Sequence, residues 1–318
     1  MYKSYFGLKD NPFNVNPDPH YLFLTKEIEE ALSGLMYGVQ NRKGFITLIG
    51  EVGTGKTTLI NCLLRWLRQQ KVRTAFLFNS RMNTNQLFDF ILAEFGISCE
   101  SRSKSQQLMS LNEWLLDRYR AGETTVLILD EAQNLTHPVL EEIRLLTNLE
   151  TSTEKLLQIV LAGQQELEEK LKLPQLRQLR QRIMLRCKTA PLTKEQTHDY
   201  IFERLRIAGA PSSGQPIFSP VAIETIHLYS LGIPRVVNLL CEHALINAYV
   251  EQQRPIQPKI VEDVAREFQL DQVEPIASPE GLKTSAELYN SEAFIQNLGE
   301  ALSRFRLSPY DPSSRERK

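Results

Sequence analysis

The stretch that decides the fold is "GEVGTGKTTL", residues Gly50 to Leu59. It follows a short apolar run, "FITLI" at Phe45–Ile49, and leads into the helical pattern "INCLLRWLRQQ". Three glycines within six residues let a backbone coil tightly with its N–H groups turned inward. A helix that starts directly after such a turn adds a partial positive charge at its N-terminus. The sequence therefore predicts a strand, a phosphate-binding turn and a helix in succession.

The same stretch fits the pattern G-x-x-x-x-G-K-[ST], with Gly50, Gly55, Lys56 and Thr57 at its fixed positions. In this pattern the lysine reaches the β- and γ-phosphates of a nucleotide, and the threonine hydroxyl is a ligand of Mg²⁺. An ordinary strand–turn–helix also fits the bare pattern, but the flanking strand and helix favour nucleotide binding. The predicted nucleotide-binding residues are Gly50, Glu51, Val52, Gly53, Thr54, Gly55, Lys56, Thr57 and Thr58.

The composition of the 318 residues is ordinary for a globular protein, with 42% hydrophobic and 24% charged residues. The net charge of −1 gives no overall attraction to nucleic acid or to acidic membranes. The four cysteines lack C-x-x-C spacing, which argues against a metal site or a disulfide framework. Neither a signal peptide nor an uncharged apolar run of about 18 residues is recognised, so we expect a cytoplasmic protein.

Five short apolar runs predict buried strands, at Phe45–Ile49, Thr74–Phe78, Val126–Leu129, Gln158–Ala162 and Ile183–Thr189. Helical patterns lie between them, including Leu59–Gln70, Asn85–Phe95 and Leu108–Arg120. This alternation indicates an α/β fold with a five-stranded parallel sheet and helices on both faces. Ligands of such sheets bind beyond the carboxyl ends of the strands, where the glycine-rich turn lies.

From Leu192 onward the pattern is helical only. Thr193 and Gln196 form a capping box, and Ser219 followed by Pro220 marks another helix start. We therefore predict a nucleotide-binding αβα domain at 1–191, a small all-α lid domain at 192–270, and a linker with an amphipathic tail at 271–318. The tail segment Ala286–Leu307 either docks a partner or folds back on its own protein.

Two carboxylates, Asp130 and Glu131, follow the third predicted strand in "TTVLILDEAQNL". Hydrolysis of a phosphoanhydride needs a metal held on the phosphates and a group that orients water. We expect Asp130 to hold Mg²⁺, directly or through its water, and Glu131 to polarise the attacking water. Adjacent strand residues point to opposite faces, and we expect the twist at the strand's end to let both reach the site. Gln164, after the fourth strand, either senses the γ-phosphate or simply starts a helix.

Arginines supply the remaining candidates. The run "LRQLRQRIMLRCK" has three possible interpretations. It forms a solvated basic face, binds nucleic acid, or provides an arginine finger to a neighbouring subunit. Its cations are Arg177, Arg180, Arg182, Arg186 and Lys188. Arg235, in "LGIPRVV", is either an ordinary surface residue or a contact to the γ-phosphate from the lid.

Together these residues resemble the AAA+ ATPases, specifically the family typified by general secretion pathway protein A (ExeA-like), close to the exosortase-associated secretion ATPases. The resemblance runs from "YFGLKDNPFNVNPDPH" to about Phe268. It implies that Gly50–Thr57 is the Walker A loop and that Asp130 and Glu131 are the Walker B pair. It also implies sensor 1 at Gln164, sensor 2 at Arg235, and the finger at Arg182 with Arg180 in reserve.

The resemblance further implies ATP and Mg²⁺ as ligands, the AAA+ sheet order, and a ring that is commonly hexameric. It implies that Pro12 and Phe13 close over the adenine. The implied function is a cytosolic motor or switch that acts on a secretion or envelope machine, held near the inner membrane through a protein partner. The family prototype continues into a membrane span and a peptidoglycan-binding domain. Neither is recognised in this chain, so cell-wall binding is not expected.

Two other functions stay open. A DNA-associated AAA+ regulator, of the transposition or replication-loader type, is favoured by the basic run. The net charge and the lack of a recognised helix-turn-helix count against it. A nucleotide-switched scaffold that binds ATP but barely hydrolyses it is the other alternative.

Overall fold

A computed structural model describes residues 1–14, 16–78, 81–100, 103–211 and 215–270 of the chain. Within these residues five strands form one parallel sheet, in the order β2-β3-β4-β1-β5. The strands are β1 (Phe45–Ile49), β2 (Val72–Leu77), β3 (Thr124–Leu129), β4 (Leu157–Gly163) and β5 (Ile183–Lys188). The predicted five-stranded parallel sheet is therefore confirmed, and its three inner strands, β1, β3 and β4, are buried on both faces.

Helices separate the strands and then follow them. Those between or before the strands are α1 (Tyr2–Phe6), α2 (Lys26–Gln40), α3 (Lys56–Leu67), α4 (Thr84–Phe95), α5 (Lys104–Arg120), α6 (His137–Leu146), α7 (Gln165–Lys172) and α8 (Arg177–Arg180). Those after the last strand are α9 (Lys194–Ile207), α10 (Pro220–Ser230), α11 (Pro234–Val250) and α12 (Pro258–Glu267). The helix after the glycine-rich turn begins at Lys56, earlier than the predicted Leu59, because Gly55 in the left-handed region occupies its N-cap.

The two faces of the sheet pack against different helices. On one face Gly38 of α2 lies so close to Ile46 and Leu185 that an added Cβ would be 2.4 Å and 2.7 Å from their Cδ1 atoms. On the other face Phe45 and Ile49 belong to a buried cluster with apolar residues of α4, α5, α6 and α7. Alternate residues of β1 thus point to opposite layers, as the two-residue period of a strand requires.

The sheet order gathers three chain segments at one edge. Ile49, the last residue of β1, is paired with Gly163, the last residue of β4, and Leu129 at the end of β3 is paired with Leu161. Because parallel strands share one direction, the segments after β1, β4 and β3 leave the sheet side by side. We call this the carboxyl edge. It carries the glycine-rich loop, Gln164 and Asp130.

The last four helices enclose a second hydrophobic core. The predicted capping box of Thr193 and Gln196 and the predicted N-cap at Ser219 are both present. Phe6 and Phe13 of the opening segment also lie in this core and are fully buried. The opening segment, which the sequence assigns to the αβα domain, therefore contributes its aromatic side chains to the helical core.

One glycine positions the helical lid on the sheet. Gly232, with a φ of +73°, accepts a hydrogen bond from the Leu192 N–H at 2.8 Å. An added Cβ at Gly232 would lie 2.0 Å from the Leu192 carbonyl oxygen, so only glycine allows this approach. The contact ties the turn before α11 to the chain that leaves β5.

None of the helices described combines the length and the apolar character needed to cross a bilayer. The predicted linker and amphipathic tail at 271–318, with its segment Ala286–Leu307, lie outside the described residues.

Candidate nucleotide-binding site

The loop between β1 and α3 contains three glycines with two different roles. Gly53 and Gly55 have φ angles of +82° and +99°, in the region that side chains disfavour. Gly50 instead allows a close approach, since an added Cβ would lie 1.9 Å from the Thr189 Oγ1 atom and 2.9 Å from the Thr54 Oγ1 atom. The loop thus coils as the glycine pattern predicts, and it does so against the end of β5.

Hydroxyl groups hold the loop in place. The buried Thr54 Oγ1 donates to the Glu51 carbonyl oxygen at 2.8 Å and contacts the Thr189 Oγ1 at 2.7 Å. Because each hydroxyl has one proton, the Thr189 hydroxyl is the donor in the second bond. The side chains of Glu51 and Val52 are exposed and Thr58 is half-buried, so this part of the loop offers backbone N–H groups rather than side chains.

The Lys56 side chain is buried and folds back over the loop. Its ammonium donates to the carbonyl oxygens of Gly50 and Glu51, each at 2.8 Å. Burial lowers the pKa of Lys56, and the nearby carboxylates of Glu131 and Asp130 oppose that shift. The cation is therefore held at the loop by neutral acceptors, with two carboxylates close by.

Thr57 and Asp130 meet across the carboxyl edge, as the sequence predicts. Burial raises the pKa of the Asp130 carboxyl, while the Glu131 N–H, the Lys56 charge and a hydrogen bond from the Thr57 side chain oppose the rise. The Glu131 N–H donates to Asp130 Oδ1 at 2.9 Å.

The Thr57 hydroxyl and the Asp130 carboxylate are hard oxygen ligands that suit Mg²⁺. This ion usually takes one or two protein ligands and completes its shell with phosphate and water. Among the described residues no cluster of three His, Cys, Asp or Glu side chains forms a metal site.

Glu131 has a left-handed backbone, with φ of 52° and ψ of 36°. This conformation interrupts the alternation of the strand, so Asp130 and Glu131 both face the lysine of the loop. We predicted that strand twist would bring them together, and the structure adds a left-handed turn at Glu131, two residues after the end of β3 at Leu129. Uncommon backbone conformations of this kind are found at functional sites more than elsewhere.

Two glutamines surround the Glu131 carboxylate. Gln164 Nε2 donates to Glu131 Oε2 at 3.1 Å, so the predicted sensor residue contacts the predicted water-orienting residue. Gln133 also donates to Glu131 Oε2 and accepts from the Gln164 N–H. Sequence reasoning missed Gln133. The available signal was its place two residues after Glu131, in a turn that follows a strand at the ligand-binding edge.

Arg235 lies against the glycine-rich loop. Its N–H donates to the Gly53 carbonyl oxygen at 3.2 Å, and an added Cβ at Gly53 would be 2.8 Å from the Arg235 Cβ. The Arg235 side chain is exposed, and within the described part of the chain no hydrogen bond or ion pair engages its guanidinium. The predicted lid arginine is thus next to the phosphate-binding loop.

Arg182 and Arg180 are not brought to this site. Arg182 immediately precedes β5, whose first residue pairs with Phe45 at the start of β1. Its Nη1 donates to Thr147 Oγ1 and Asn148 Oδ1, both at 2.5 Å. Arg180 instead lines a cavity of about 180 Å³ between α7 and β5, together with Lys172, Arg186 and Lys188.

The contact to adenine implied for Phe13 is not supported by its position. Phe13 is fully buried and packs edge-on against Phe218, with ring centroids 6.3 Å apart. The carbonyl oxygen of Pro12 accepts from Arg204 Nη1 at 2.5 Å. Both residues are engaged by the helical core, so a base cannot stack on Phe13 in this arrangement.

Comparisons with known proteins agree with this architecture. A family model described as an AAA domain matches residues 39–171. The chain is 43% identical over 257 residues to general secretion pathway protein A of Aeromonas hydrophila, a match that covers 80% of this chain and 46% of that protein. The chain thus spans about half the length of this relative.

One further sequence relative and one solved structure also match. The putative ORC1-type DNA replication protein 1 of Thermoplasma acidophilum is 34% identical over 112 residues, which is 34% of this chain and 31% of that protein. The solved structure of the Aeropyrum pernix ORC2 protein in ADPNP–ADP complexes matches with a TM-score of 0.59 at 16% identity. That match covers 96% of this chain and 87% of the ORC2 chain and indicates a shared fold.

Proposed function

The chain belongs to the AAA+ ATPases of the general secretion pathway protein A (ExeA-like) family, and on that premise we propose that it is a Mg²⁺-dependent ATPase. Its hydrolysis would drive assembly or remodelling of a secretion or envelope machine. The observation that carries the proposal is the meeting of Lys56, Thr57 and Asp130 at the carboxyl edge. A loop that only shaped a turn would have no need of a buried cation facing two carboxylates.

Binding of ATP would exchange the partners of Lys56. Its ammonium now donates to two neutral carbonyl oxygens of its own loop. Phosphate oxygens are stronger acceptors for an ammonium because the hydrogen bonds are charge-assisted on both sides. Thr57 and Asp130 would hold Mg²⁺. The metal ion would neutralise part of the phosphate charge. The inward N–H groups of Gly53 and its neighbours would add neutral donors.

Glu131 is the group that would orient and polarise the attacking water. Its Oε2 is engaged by the amides of Gln133 and Gln164, and no bond to Oε1 is found among the described residues. One oxygen is thus anchored while the other is free to accept a proton or a hydrogen bond. Arg235 would approach the γ-phosphate from the lid, since its first helical turn already contacts Gly53.

We propose that the chain acts as a ring-forming homo-oligomer, a hexamer being the form common to the family. The position of Arg182 supports this, because it lies at the opposite edge of the sheet from its own glycine-rich loop. An arginine there would stabilise the transition state at the site of a neighbouring subunit. A protein of a secretion or envelope system is the proposed partner, through which the chain would lie at the cytoplasmic side of the inner membrane.

The test is hydrolysis of ATP by Glu131→Gln and Lys56→Ala variants. We expect Glu131→Gln to lose turnover while keeping ATP affinity, and Lys56→Ala to lose ATP binding, because of these two side chains only that of Lys56 would contact the phosphates. Glu113→Gln, an exposed position on α5, is the matched control and should hydrolyse ATP normally. Tight ATP binding without hydrolysis by the wild-type chain would favour the nucleotide-switched scaffold instead.

A DNA-associated regulator is the second candidate, supported by the relative named as a putative DNA replication protein and by the four cations that line the cavity beside Arg180, one of which, Lys188, is paired with Glu168. Its test is the ATPase rate with and without duplex DNA over a salt series. Stimulation that fades steeply with salt would support this candidate, since binding to DNA phosphates releases counterions. A rate that DNA leaves unchanged at low salt would count against it.

A further inference from the structure

We propose that Gln133 is a positioning residue that fixes the orientation of the Glu131 carboxylate, and that Lys170 holds the turn from which Gln133 acts. This proposal rests on the proposed ATPase function, since it assigns a role at the same site. It concerns residues outside the motifs that define the loop and the carboxylate pair.

Gln133, Gln164 and Glu131 form a closed ring of hydrogen bonds. Gln133 Nε2 donates to Glu131 Oε2 at 2.5 Å, and Gln164 Nε2 donates to the same oxygen at 3.1 Å. The ring closes where the Gln164 backbone N–H donates to Gln133 Oε1 at 3.1 Å. A backbone N–H can only donate, so this last bond determines which end of the Gln133 amide faces Glu131. The carboxylate therefore has two donors on one oxygen.

The hydrogen-bonded ring includes a residue, Glu131, whose backbone dihedral angles are uncommon and must be stabilised by neighbouring residues. A residue other than glycine with a φ of 52° keeps that conformation only where its surroundings hold it. The next residues, Ala132–Asn134, form a 3₁₀ turn in which Ala132 is fully buried. Gln133 thus projects from a short turn whose first residue is fixed by packing.

Lys170 of α7 provides a second support. Its ammonium donates to the Gln133 carbonyl oxygen at 2.5 Å and to the Leu135 carbonyl oxygen at 2.9 Å. In the described part of the chain this cation has no carboxylate partner, so its bonds go to the turn alone. The bonds join the turn to the helix that begins after Gln164.

The Gln133 amide also packs against the backbone of β4. An added Cβ at Gly163 would lie 2.9 Å from Gln133 Oε1 and 2.7 Å from Leu167 Cδ2. Glycine is therefore needed at the end of β4 for the amide to lie where it does. The 3₁₀ turn contains Gln133, α7 holds its backbone carbonyl oxygen through Lys170, and β4 packs against its side-chain amide.

A neutral amide suits the task of orienting a carboxylate. A lysine or an arginine in its place would form an ion pair and reduce the ability of Glu131 to take a proton. An amide donor restrains the side chain and leaves its charge in place. Small displacements of a water-orienting group, on the order of 1 Å, can lower the rate about 10²-fold.

The test compares Gln133→Met with Gln165→Met. Methionine matches glutamine in length but has no amide, and Gln165 is an exposed neighbour outside the ring. We expect Gln133→Met to lower kcat by about 10- to 100-fold, as loss of a supporting hydrogen bond does at other sites, with ATP affinity within about 2-fold of wild type. Gln165→Met should leave both unchanged.

A second variant separates the donor from the size of the side chain. Gln133→Glu keeps an acceptor for the Gln164 N–H but replaces the donor to Glu131 with a carboxylate. If Gln133 acts by donating, this variant should lose at least as much kcat as Gln133→Met. If only side-chain volume matters, Gln133→Glu should be close to wild type.

A cycle with Glu131→Gln shows whether Gln133 acts through Glu131. In single-turnover hydrolysis we expect Gln133→Met to have less than about a 2-fold effect once Glu131 is replaced, because the group it orients is gone. An equally large effect in both backgrounds would overturn the positioning role. A wild-type kcat for Gln133→Met would overturn it as well, while leaving the ATPase proposal intact. The ATPase proposal itself fails if the wild-type chain does not hydrolyse ATP or if Glu131→Gln is fully active.

Discussion

The first turn of α11 and the junction between α8 and β5 each present an arginine, and they lie at opposite edges of the sheet. Arg235 contacts Gly53 of the glycine-rich loop. Arg182 precedes β5, whose first residue pairs with the first residue of β1. The loop follows the last residue of β1, so the two edges are roughly 17 Å apart, at about 3.3 Å per residue. We therefore expect Arg235 to act at the site of its own chain and Arg182 at a site on a neighbouring subunit.

The two regions also differ in how their guanidinium groups are engaged. That of Arg235 has no hydrogen bond or ion pair among the described residues, so a phosphate would meet an uncommitted cation. That of Arg182 donates to Thr147 and Asn148, which it would have to leave to reach a neighbouring nucleotide. An arginine can thus have an unengaged guanidinium in one region of the molecule and a hydrogen-bonded one in another.

The largest expected effect is that of Arg182→Ala. If Arg182 acts as a finger, turnover should fall by on the order of 10³ while ATP affinity is kept, because the guanidinium stabilises charge in the transition state only. Steady-state ATPase rates of purified protein measure this. Mixing Arg182→Ala with Glu131→Gln subunits should restore part of the activity, since some interfaces then combine an intact glutamate with an intact arginine.

Two further variants sharpen this test. Arg177→Ala, an exposed position on the preceding helix α8, should keep the wild-type rate. Arg180→Ala decides whether the reserve candidate is the true finger. A full loss with Arg180→Ala and normal turnover with Arg182→Ala would transfer the role to Arg180.

Arg235→Met should lower turnover by about 10²-fold, less than Arg182→Ala, because backbone donors and Lys56 remain at the phosphates. Unlike the finger, its effect should not be rescued by mixing with Glu131→Gln subunits, since Arg235 serves the site of its own chain. Arg266→Met, an exposed arginine of α12, is the control and should have normal activity. Rescue on mixing would show that the lid arginine also acts between chains.

Gly53→Ala should separate α11 from the loop. The new Cβ would lie 2.8 Å from the Arg235 Cβ and 2.9 Å from the Ile233 Cγ2, and the φ of +82° adds backbone strain. We expect the free energy of unfolding to fall by about 1 kcal/mol from strain alone, with a further loss from the clash. Turnover should fall about 10-fold, and combination with Arg235→Met should give less than the product of the two effects.

Gly122→Ala is a matched control for backbone strain. Gly122 has a φ of +72° and nothing within 4 Å of an added Cβ. It should therefore lose stability from strain but keep its turnover. Equal losses of turnover in both variants would mean that the lid contact at Gly53 is not functional.

The smallest expected effect concerns Asp130 in the nucleotide-free protein. Burial raises the pKa of its carboxyl above the ordinary 3.8, so the folded state holds the proton more tightly than the unfolded state does. Its contribution to stability is present below about pH 3.8 and is lost as pH rises through that value toward the raised pKa. In the nucleotide-free protein Asp130→Asn should therefore raise the melting temperature at neutral pH.

Thermal melts of both proteins from pH 3 to 8 check this expectation. The difference between wild type and Asp130→Asn should shrink toward acidic pH, where the carboxyl is protonated in both states. A lower melting temperature for Asp130→Asn at neutral pH would contradict it and would mean that the ionised carboxylate stabilises the free protein through Thr57 and Lys56.

Local features made much of this protein predictable. The phosphate-binding loop is nine consecutive residues, and its glycines and lysine act through geometry within that stretch. The inner strands β1, β3 and β4 are buried on both faces and therefore appear as apolar runs. The outer strands β2 and β5 are partly exposed, but their apolar residues were sufficient for recognition. The capping box at Thr193 and the cap at Ser219 are likewise interactions between residues three apart.

Features made by long-range contacts escaped prediction. The left-handed backbone of Glu131 and the ring through Gln133 depend on α7 and β4, which follow much later in the chain. The resemblance implies that Phe13 closes over the adenine, but Phe13 belongs to the helical core because Phe218, some two hundred residues away, packs against it.

The sequence by itself therefore determined the chemistry that the chain can offer, namely a phosphate-binding loop, a carboxylate pair and several arginines, because each depends on neighbouring residues. Only the tertiary structure decided which of these groups meet. The sheet order places β4 between β1 and β3, so Asp130, Gln164 and Lys56 converge at one edge while Arg182 is left at the other. Strand order is set by the packing of the whole chain, and no short stretch of residues encodes it.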